Sequence, residues 1–375
     1  MSLYPPELTF NVSKVLSLAA MGAIAAIIWA PFLTHFLYKY KLWKKEARKK
    51  TITGEEATVF YNLHKEREVR TPRMGGLLIW VTAFSIIFFF WLFSKISDAR
   101  LFNKFNILSR GETWLPLFTL MAASIVGLFD DLLQVCDCAS FGNLFLKKIT
   151  AIISGTKRYI GGGMTFKRRF LVVASIGIAG GWWFFYKLGW DMIHIPFVGD
   201  FSIGFLYLPL FVMVMLASWS GGIIDGLDGL AGGAFTSIFG AFTIIAFAEG
   251  MFNLSAFCAI ISGTIFAFLW FNIPPARFYM GETGILGLTS TMAVVAFLTD
   301  SVVVLPIIAG LLVIETGSVI MQLLSKKIRK KKLFQSTPIH HHFEAKGWPP
   351  HKVTMRFWIG GIVLAIIGVV VRLMG

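Results

Sequence analysis

Ten stretches of about 20 mostly apolar residues recur along this 375-residue chain, and a stretch of that length is what a membrane-spanning helix requires. They are centred near Ala26, Ile86, Met121, Gly177, Val212, Phe239, Ser262, Met292, Leu311 and Val363. Composition agrees, because 56% of the residues are hydrophobic and only 15% are charged, too few charges for a soluble domain of this size. The first stretch is too long and too firmly flanked to be a cleaved signal peptide. The expected fold is therefore an all-α integral membrane protein of ten transmembrane helices, residues 1–375 forming a single polytopic membrane domain.

Charge orients it. The formal net charge is +15, and 28 of the 35 Lys and Arg residues fall in the loops after alternate stretches. By the positive-inside rule those loops are cytoplasmic and both termini lie outside. The cytoplasmic loops run over about 39–73, 130–169, 220–229, 273–283 and 325–356. Beside a membrane, basic surface of this kind serves orientation, anionic lipid or an anionic substrate rather than nucleic acid. The three cysteines make no disulfide framework, and Cys136-x-Cys138 lacks zinc-site spacing.

Acids are scarce, so their placement is informative. Ser220–Gly233 is a Gly-rich turn carrying Asp225 and Asp228 between two apolar stretches. As a helical turn, their i, i+3 spacing would put both carboxylates on one face. The plainer reading makes Asp228 an N-cap and Asp225 a loop residue. Asp130 and Asp131 end the third stretch, roughly 100° apart on a helix, so one faces a site while the other holds a neighbour or a second position. Glu282 stands among glycines at the mouth of the eighth stretch, where a carboxylate also suits a helix start. All of these acids fall on the cytoplasmic face, where they require a cation, and hard carboxylate oxygens suit Mg²⁺. Glu315 lies inside the ninth stretch, facing the bundle interior, with Gly317 allowing a bend. Arg70 and Arg73 precede Gly75-Gly76, placed to hold a diphosphate at a helix start. His340-His341-His342 suit phosphate oxygens as hydrogen-bond donors. Gly161-Gly162-Gly163 is a flexible turn without nucleotide-fingerprint context.

Four of these motifs, in order, carry a resemblance. Gly127-Leu128-Phe129-Asp130-Asp131, Asp225-Gly226-Leu227-Asp228-Gly229-Leu230-Ala231, Met280-Gly281-Glu282-Thr283-Gly284 and Pro338-Ile339-His340-His341-His342-Phe343-Glu344 resemble the polyprenyl-phosphate N-acetylhexosamine-1-phosphate transferases. The His motif, with Lys346-Gly347-Trp348 and Arg356-Phe357-Trp358 after it, looks like the phospho-N-acetylmuramoyl-pentapeptide transferase family within that superfamily. The resemblance runs from about Arg70 to the C-terminus. It implies ten helices in a bacterial inner (cytoplasmic) membrane, a cytoplasmic active site and dependence on Mg²⁺. The reaction implied is transfer of phospho-N-acetylmuramoyl-pentapeptide from UDP to undecaprenyl phosphate, giving lipid I and UMP in peptidoglycan synthesis. Carried over by position, Asp130, Asp131 and Asp228 are catalytic, with Asp130 the base or nucleophile-activating carboxylate. Asp130, Asp131 and Glu282 are the metal site. Asp225, Tyr279, His341, His342, Arg169 and Lys167 bind substrate, Tyr279 by stacking on uracil. A homodimer is compatible with this reading.

Three departures stand out. Glu282 and Ile285 replace the family's Asp and Ser, and Gly222 replaces its Asn. Arg73 replaces its second Thr, with Glu68 where a phosphate-binding lysine is expected. Two rival readings compete. One is N-acetylglucosamine-1-phosphate transfer from UDP to a polyprenyl phosphate, whose enzymes usually space the His motif differently. The other is an ion-coupled transporter, disfavoured by acids at one face rather than mid-span and by the lack of internal repeats.

Overall fold

The computed structural model describes residues 6–44, 69, 71–97, 99–109, 111–135 and 163–375. The expected Cys136-x-Cys138 segment, Arg70, Glu68 and Gly161-Gly162 lie outside the described residues. The chain is helical nearly throughout. Helix α1 (Pro6–Lys39) is followed by α2 (Leu77–Ile96), the short α3 (Arg100–Phe105) and α4 (Trp114–Val135). Helix α5 (Phe166–Trp182) continues as a π-helical turn to Lys187 and leads into an antiparallel hairpin of β1 (Met192–Ile195) and β2 (Gly199–Ser202), with Ile195 opposite Gly199. Then come α6 (Tyr207–Ser220), α7 (Leu230–Ala248), α8 (Phe252–Asn272), α9 (Gly281–Leu298), α10 (Leu305–Ile308), α11 (Gly310–Arg329), α12 (Ile339–Ala345) and α13 (Pro350–Met374).

Nine helices among the described residues are long and apolar enough to cross a membrane: α1, α2, α4, α5 with its extension, α6 with its flanking turns, α7, α8, α9 and α13. The chain is a multi-pass membrane protein. The stretch expected around Leu311 differs. Its backbone breaks at Ala309 into α10 and α11, and α11 carries the buried Glu315 and ends in Lys326, Lys327 and Arg329. Those charges lower its apolar character below that of the other nine.

The bundle is built around α9, nearly every residue of which is buried. Its Gly, Ser and Thr residues let neighbours approach closely, as small residues do between membrane helices. Helix α4 packs along it, with Gly127 against the backbone carbonyl of Glu282 and Gly287 against Ser124. Further out, α1 packs on α8, α7 on α8 and α13, and α5 on α6. Aromatic rings fill the core near the hairpin, where Phe211 stacks on Phe297 at 4.3 Å between centroids, beside Phe184 and Tyr207.

Polar contacts sort the helix ends. At one end, Lys14 Nζ donates to Asn253 Oδ1 at 3.0 Å, Glu112 accepts from the Leu254 amide, and Arg372 pairs with Glu249 and donates to the Thr299 carbonyl. The hairpin sits there too, its Phe197 amide donating to the Gly375 carbonyl. The start of α1 and the end of α13 therefore share one end of the bundle. The opposite end carries the clustered acids.

Gly127→Ala places a methyl group closer to the Glu282 carbonyl than any relaxed contact allows. Overpacking of this kind typically costs about 1–3 kcal/mol. The variant is expected to melt at a lower temperature in detergent. Gly317→Ala, whose new methyl meets nothing within 4 Å, is expected not to lower it.

Candidate active site

Two adjacent acids near the end of α4 start the site. Asp131 is fully buried, and its carboxylate accepts the backbone amides of Glu282 at 3.1 Å and Thr283 at 2.9 Å. Those amides belong to the first turn of α9, which has no earlier carbonyls to bond and carries the positive end of the helix dipole. Gly281, at φ +71°, makes room for this carboxylate, since a Cβ there would meet it. Asp131 thus holds the start of a neighbouring helix.

Asp130 turns the other way. It accepts from the Met164 amide, from Gln134 Nε2 at 3.1 Å and from Arg169 NH2 at 2.6 Å. Arg169, in the first turn of α5, also gives its NH1 to Glu282 Oε1 at 2.5 Å. One guanidinium therefore joins two carboxylates delivered by two other helices. A second arginine approaches from the far side. The segment 72–76 pairs with 279–280 by backbone hydrogen bonds of 2.8 Å: Tyr279 donates to Pro72, Gly75 to Tyr279 and Gly76 to Met280. That pairing sets Arg73 Nε 4.0 Å from Asp131 Oδ1, with no hydrogen-bond partner on Nε.

The central Gly-rich motif corrects the shared-face reading and the N-cap reading of Asp228, and bears out Asp225 as a loop residue. Asp225 and Asp228 do not share a helical face, because a 3₁₀ turn (Gly221–Ile224) ends at Asp225. Nor does Asp228 cap α7; Gly229 does, at φ +79°. Each carboxylate instead pins the loop before α9, Asp225 Oδ2 accepting from the Gly281 amide at 3.3 Å and Asp228 Oδ2 from the Ala276 amide at 3.2 Å. Asn272 ties the same pieces together, accepting from the Gly229 amide and donating to the Phe278 carbonyl. Burial pushes the Asp225 carboxyl up to about 6, against the opposing pull of Arg73 and the Gly281 amide.

Asp130, Asp131, Glu282, Arg169 and Asp225 therefore meet in one cluster. Tyr279 is half-buried in the segment that pairs with 72–76. His341 is buried, with Nδ1 2.6 Å from Glu344 Oε2 and Nε2 turned to the 225–228 loop beside Gly226. His342 is half-buried, and its Nδ1 accepts the Gln335 amide. Lys167 is exposed on the first turn of α5. Gln134, which holds Asp130, carried no signal in the sequence beyond its i+4 spacing. Two of the departures turn out to touch. A Cβ on Gly222 would run into Ile285 Cγ2, so the isoleucine fills the space that a side chain at 222 would need.

Asp130, Asp131 and Glu282 fit Mg²⁺ in donor chemistry, being hard carboxylate oxygens. Among the described residues, no three acids or histidines are gathered around one point, and Arg169 supplies the counter-charge to Asp130 and Glu282.

Buried carboxylates and two arginines gather at one end of an apolar bundle, where ionisable groups in a membrane protein mark a functional site. Comparison with known proteins places the chain more finely. A sequence model of glycosyl transferase family 4 matches residues 113–300. A phospho-N-acetylmuramoyl-pentapeptide-transferase of Bacillus pumilus is 30% identical over 354 residues, covering 94% of this chain and 96% of the relative. Those of Shouchella clausii and Chloroflexus aggregans are 32% and 30% identical, covering 92% and 98% of this chain and 93% and 92% of theirs. The chain belongs to the phospho-N-acetylmuramoyl-pentapeptide-transferase family, within glycosyl transferase family 4.

The raised Asp225 carboxyl has a stability consequence. The folded protein holds this proton more tightly than the unfolded chain does, so stability is expected to fall as pH rises from about 4 to about 6. Asp225→Asn removes that dependence. Melting curves across pH should show the variant more stable than wild type at pH 7 and the gap closing below pH 4.

Proposed function

We propose that this chain transfers phospho-N-acetylmuramoyl-pentapeptide from its UDP carrier to undecaprenyl phosphate, yielding lipid I and UMP at the inner membrane of a bacterium. The observation that carries the reading is the Asp130–Arg169–Glu282 cluster, in a chain whose relatives bear that activity in their names. An oxygen of the lipid phosphate attacks the phosphorus next to the sugar. The bond from that phosphorus to the bridging oxygen breaks, and UMP leaves with the electron pair. Phosphoryl transfer of this type depends on positioning and on neutralising charge. Arg169 and Arg73 face the cluster from two sides, positioned to hold diphosphate oxygens. Asp130 is the carboxylate placed to take or steer the acceptor's proton. Asp225 and Asp228 fix the loop that brings Tyr279 and Glu282 to the site, and His341, His342 and Lys167 complete the substrate side.

Asp130, Asp131 and Glu282 are the residues that would hold Mg²⁺. When bound, the ion would neutralise charge on the diphosphate and its leaving group. The acceptor reaches the site sideways from the bilayer, which a water-soluble enzyme does not permit. The active-site end faces the cytoplasm on this proposal, where the basic loops lie. The shared end of α1's start and α13's finish supports an even number of crossings, and the proposal takes that number as ten, with α11 as the tenth. The proposal does not require a homodimer.

Purified protein incubated with UDP-N-acetylmuramoyl-pentapeptide and undecaprenyl phosphate is expected to release UMP; no release from a folded preparation overturns the reading. UDP-N-acetylglucosamine as donor is expected to give none. Excess chelator should abolish turnover and added Mg²⁺ restore it, whereas full activity in chelator would remove the metal from the proposal. Asp130→Asn is expected to lower the rate at least about 10²-fold, the usual scale for a group acting in the chemistry. Glu282→Gln should likewise abolish activity, while Glu282→Asp keeps the charge but raises the Mg²⁺ concentration needed. A Gln variant that behaves as wild type would show that Glu282 holds no metal.

A further inference from the structure

Glu315 and His340 are both wholly buried, and neither has a part in the mechanism above. They come from different places, Glu315 from the middle of α11 and His340 from the first turn of α12, yet His340 Nδ1 stands 2.9 Å from Glu315 Oε2. The other edge of the ring faces the loop that carries Asp225 and Asp228. A Cβ on Gly226 would collide with His340 Nε2, so glycine is the residue that lets ring and loop meet. His341 stacks edge-on against the same ring at 4.1 Å. As a packing device this pair is a poor choice. All four polar atoms, Glu315 Oε1 and Oε2 and His340 Nδ1 and Nε2, lack an aligned hydrogen-bond partner among the described residues, so the 2.9 Å approach is a charge contact, and apolar residues of similar size would fill the space without that penalty.

We propose that Glu315 and His340 form a positioning pair for the Asp225–Asp228 loop. The Glu315 carboxylate, 2.9 Å from Nδ1, holds the ring's proton on that nitrogen and so sets its tautomer and rotation, and the unprotonated Nε2 edge then sits against the backbone at Gly226. A carboxylate that orients a histidine in this way sets where the histidine's far edge lies. The loop in turn holds the segment before α9 through Asp225 and Asp228, so the pair acts on the chemistry at second hand. Its kinetic consequence rests on the transferase reading; the pairing itself does not.

Two measurements separate these levels. In full-length protein with ring-¹⁵N-labelled histidine, the His340 signal, identified by its loss in His340→Leu, is expected to report a neutral ring protonated on Nδ1. Glu315→Leu should erase that signature and Glu315→Gln preserve it, because an amide oxygen still accepts the bond. A proton on Nε2 in the wild type, or a signature indifferent to Glu315→Leu, overturns the pairing even if no UMP is ever released. In the UMP-release assay, Glu315→Gln is expected to stay within about threefold of wild type. Glu315→Leu should lower kcat by about 10- to 100-fold with KM nearly unchanged, the scale on which misplacement of a reacting group acts. The double variant Glu315→Leu, His340→Leu should be no slower than the slower single variant, as expected of residues acting as a unit. Losses that multiply, or a Glu315→Leu enzyme with wild-type kcat, overturn the positioning role. Should either Leu variant fail to fold, Gly226→Ala carries the test. It is expected to slow turnover by displacing the ring, yet to have no further effect when combined with His340→Ala. A Gly226→Ala enzyme with wild-type rate and an unchanged His340 signal refutes the proposal.

Discussion

The site depends first on the bond between Asp131 and the start of α9. Two backbone amides that no earlier turn can satisfy meet a carboxylate that no water reaches, and each relieves the other. This contact sets the register of α4 against α9, and the glycines at 127 and 287 let the two helices come close enough to make it. Everything else in the cluster follows from that register. Asp130, one residue earlier, is rotated by roughly 100° and therefore points to α5 and Arg169. Glu282 donates its own amide to Asp131 and sends its side chain to the same guanidinium.

Charge is only partly balanced by this arrangement. Asp130, Asp131, Asp225 and Glu282 face two arginines, Arg169 and Arg73, and Arg73 stands at the limit of ion-pair distance. A surplus of carboxylate beside basic groups is a poor way to stabilise a fold, but it suits a centre that exchanges a cation and an anion with its surroundings. The longer side chain at 282 belongs to the same account, because it spans to Arg169, which sits on a different helix. The apolar contact of Gly222 with Ile285 shows that two differences from the family pattern are a single packing change.

Much of this was legible in the sequence, for physical reasons that differ from residue to residue. Long apolar stretches report helices directly, so the bundle was readable almost element by element. The exception was the stretch around Leu311, whose break at Ala309 leaves no mark in composition. Helix geometry alone told that Asp130 and Asp131 point apart; which of them holds α9 came from the packing. Spacing failed at Asp225 and Asp228, because an i, i+3 pattern means a shared face only inside a helix, and the glycines around them make a turn. Arg73 was legible as a basic residue ahead of a helix; its nearness to Asp131 depends on backbone pairing with 279–280, two hundred residues away. The meeting of Glu315 with His340 is likewise a product of packing, invisible to any local pattern.

Asn272 gives the molecule a mechanical property. Its single amide group is bonded to the loop before α7 and to the segment before α9, and that segment is in turn laced by backbone bonds to 72–76. Three stretches distant in sequence are thus riveted into one plate, in which no piece can swing without dragging the others. Arg169 meets that plate through the tip of its side chain at Glu282, while the Met164 amide just before its helix binds Asp130. Parting Arg169 from Glu282 would break side-chain contacts and leave the backbone bonds of the plate as they are.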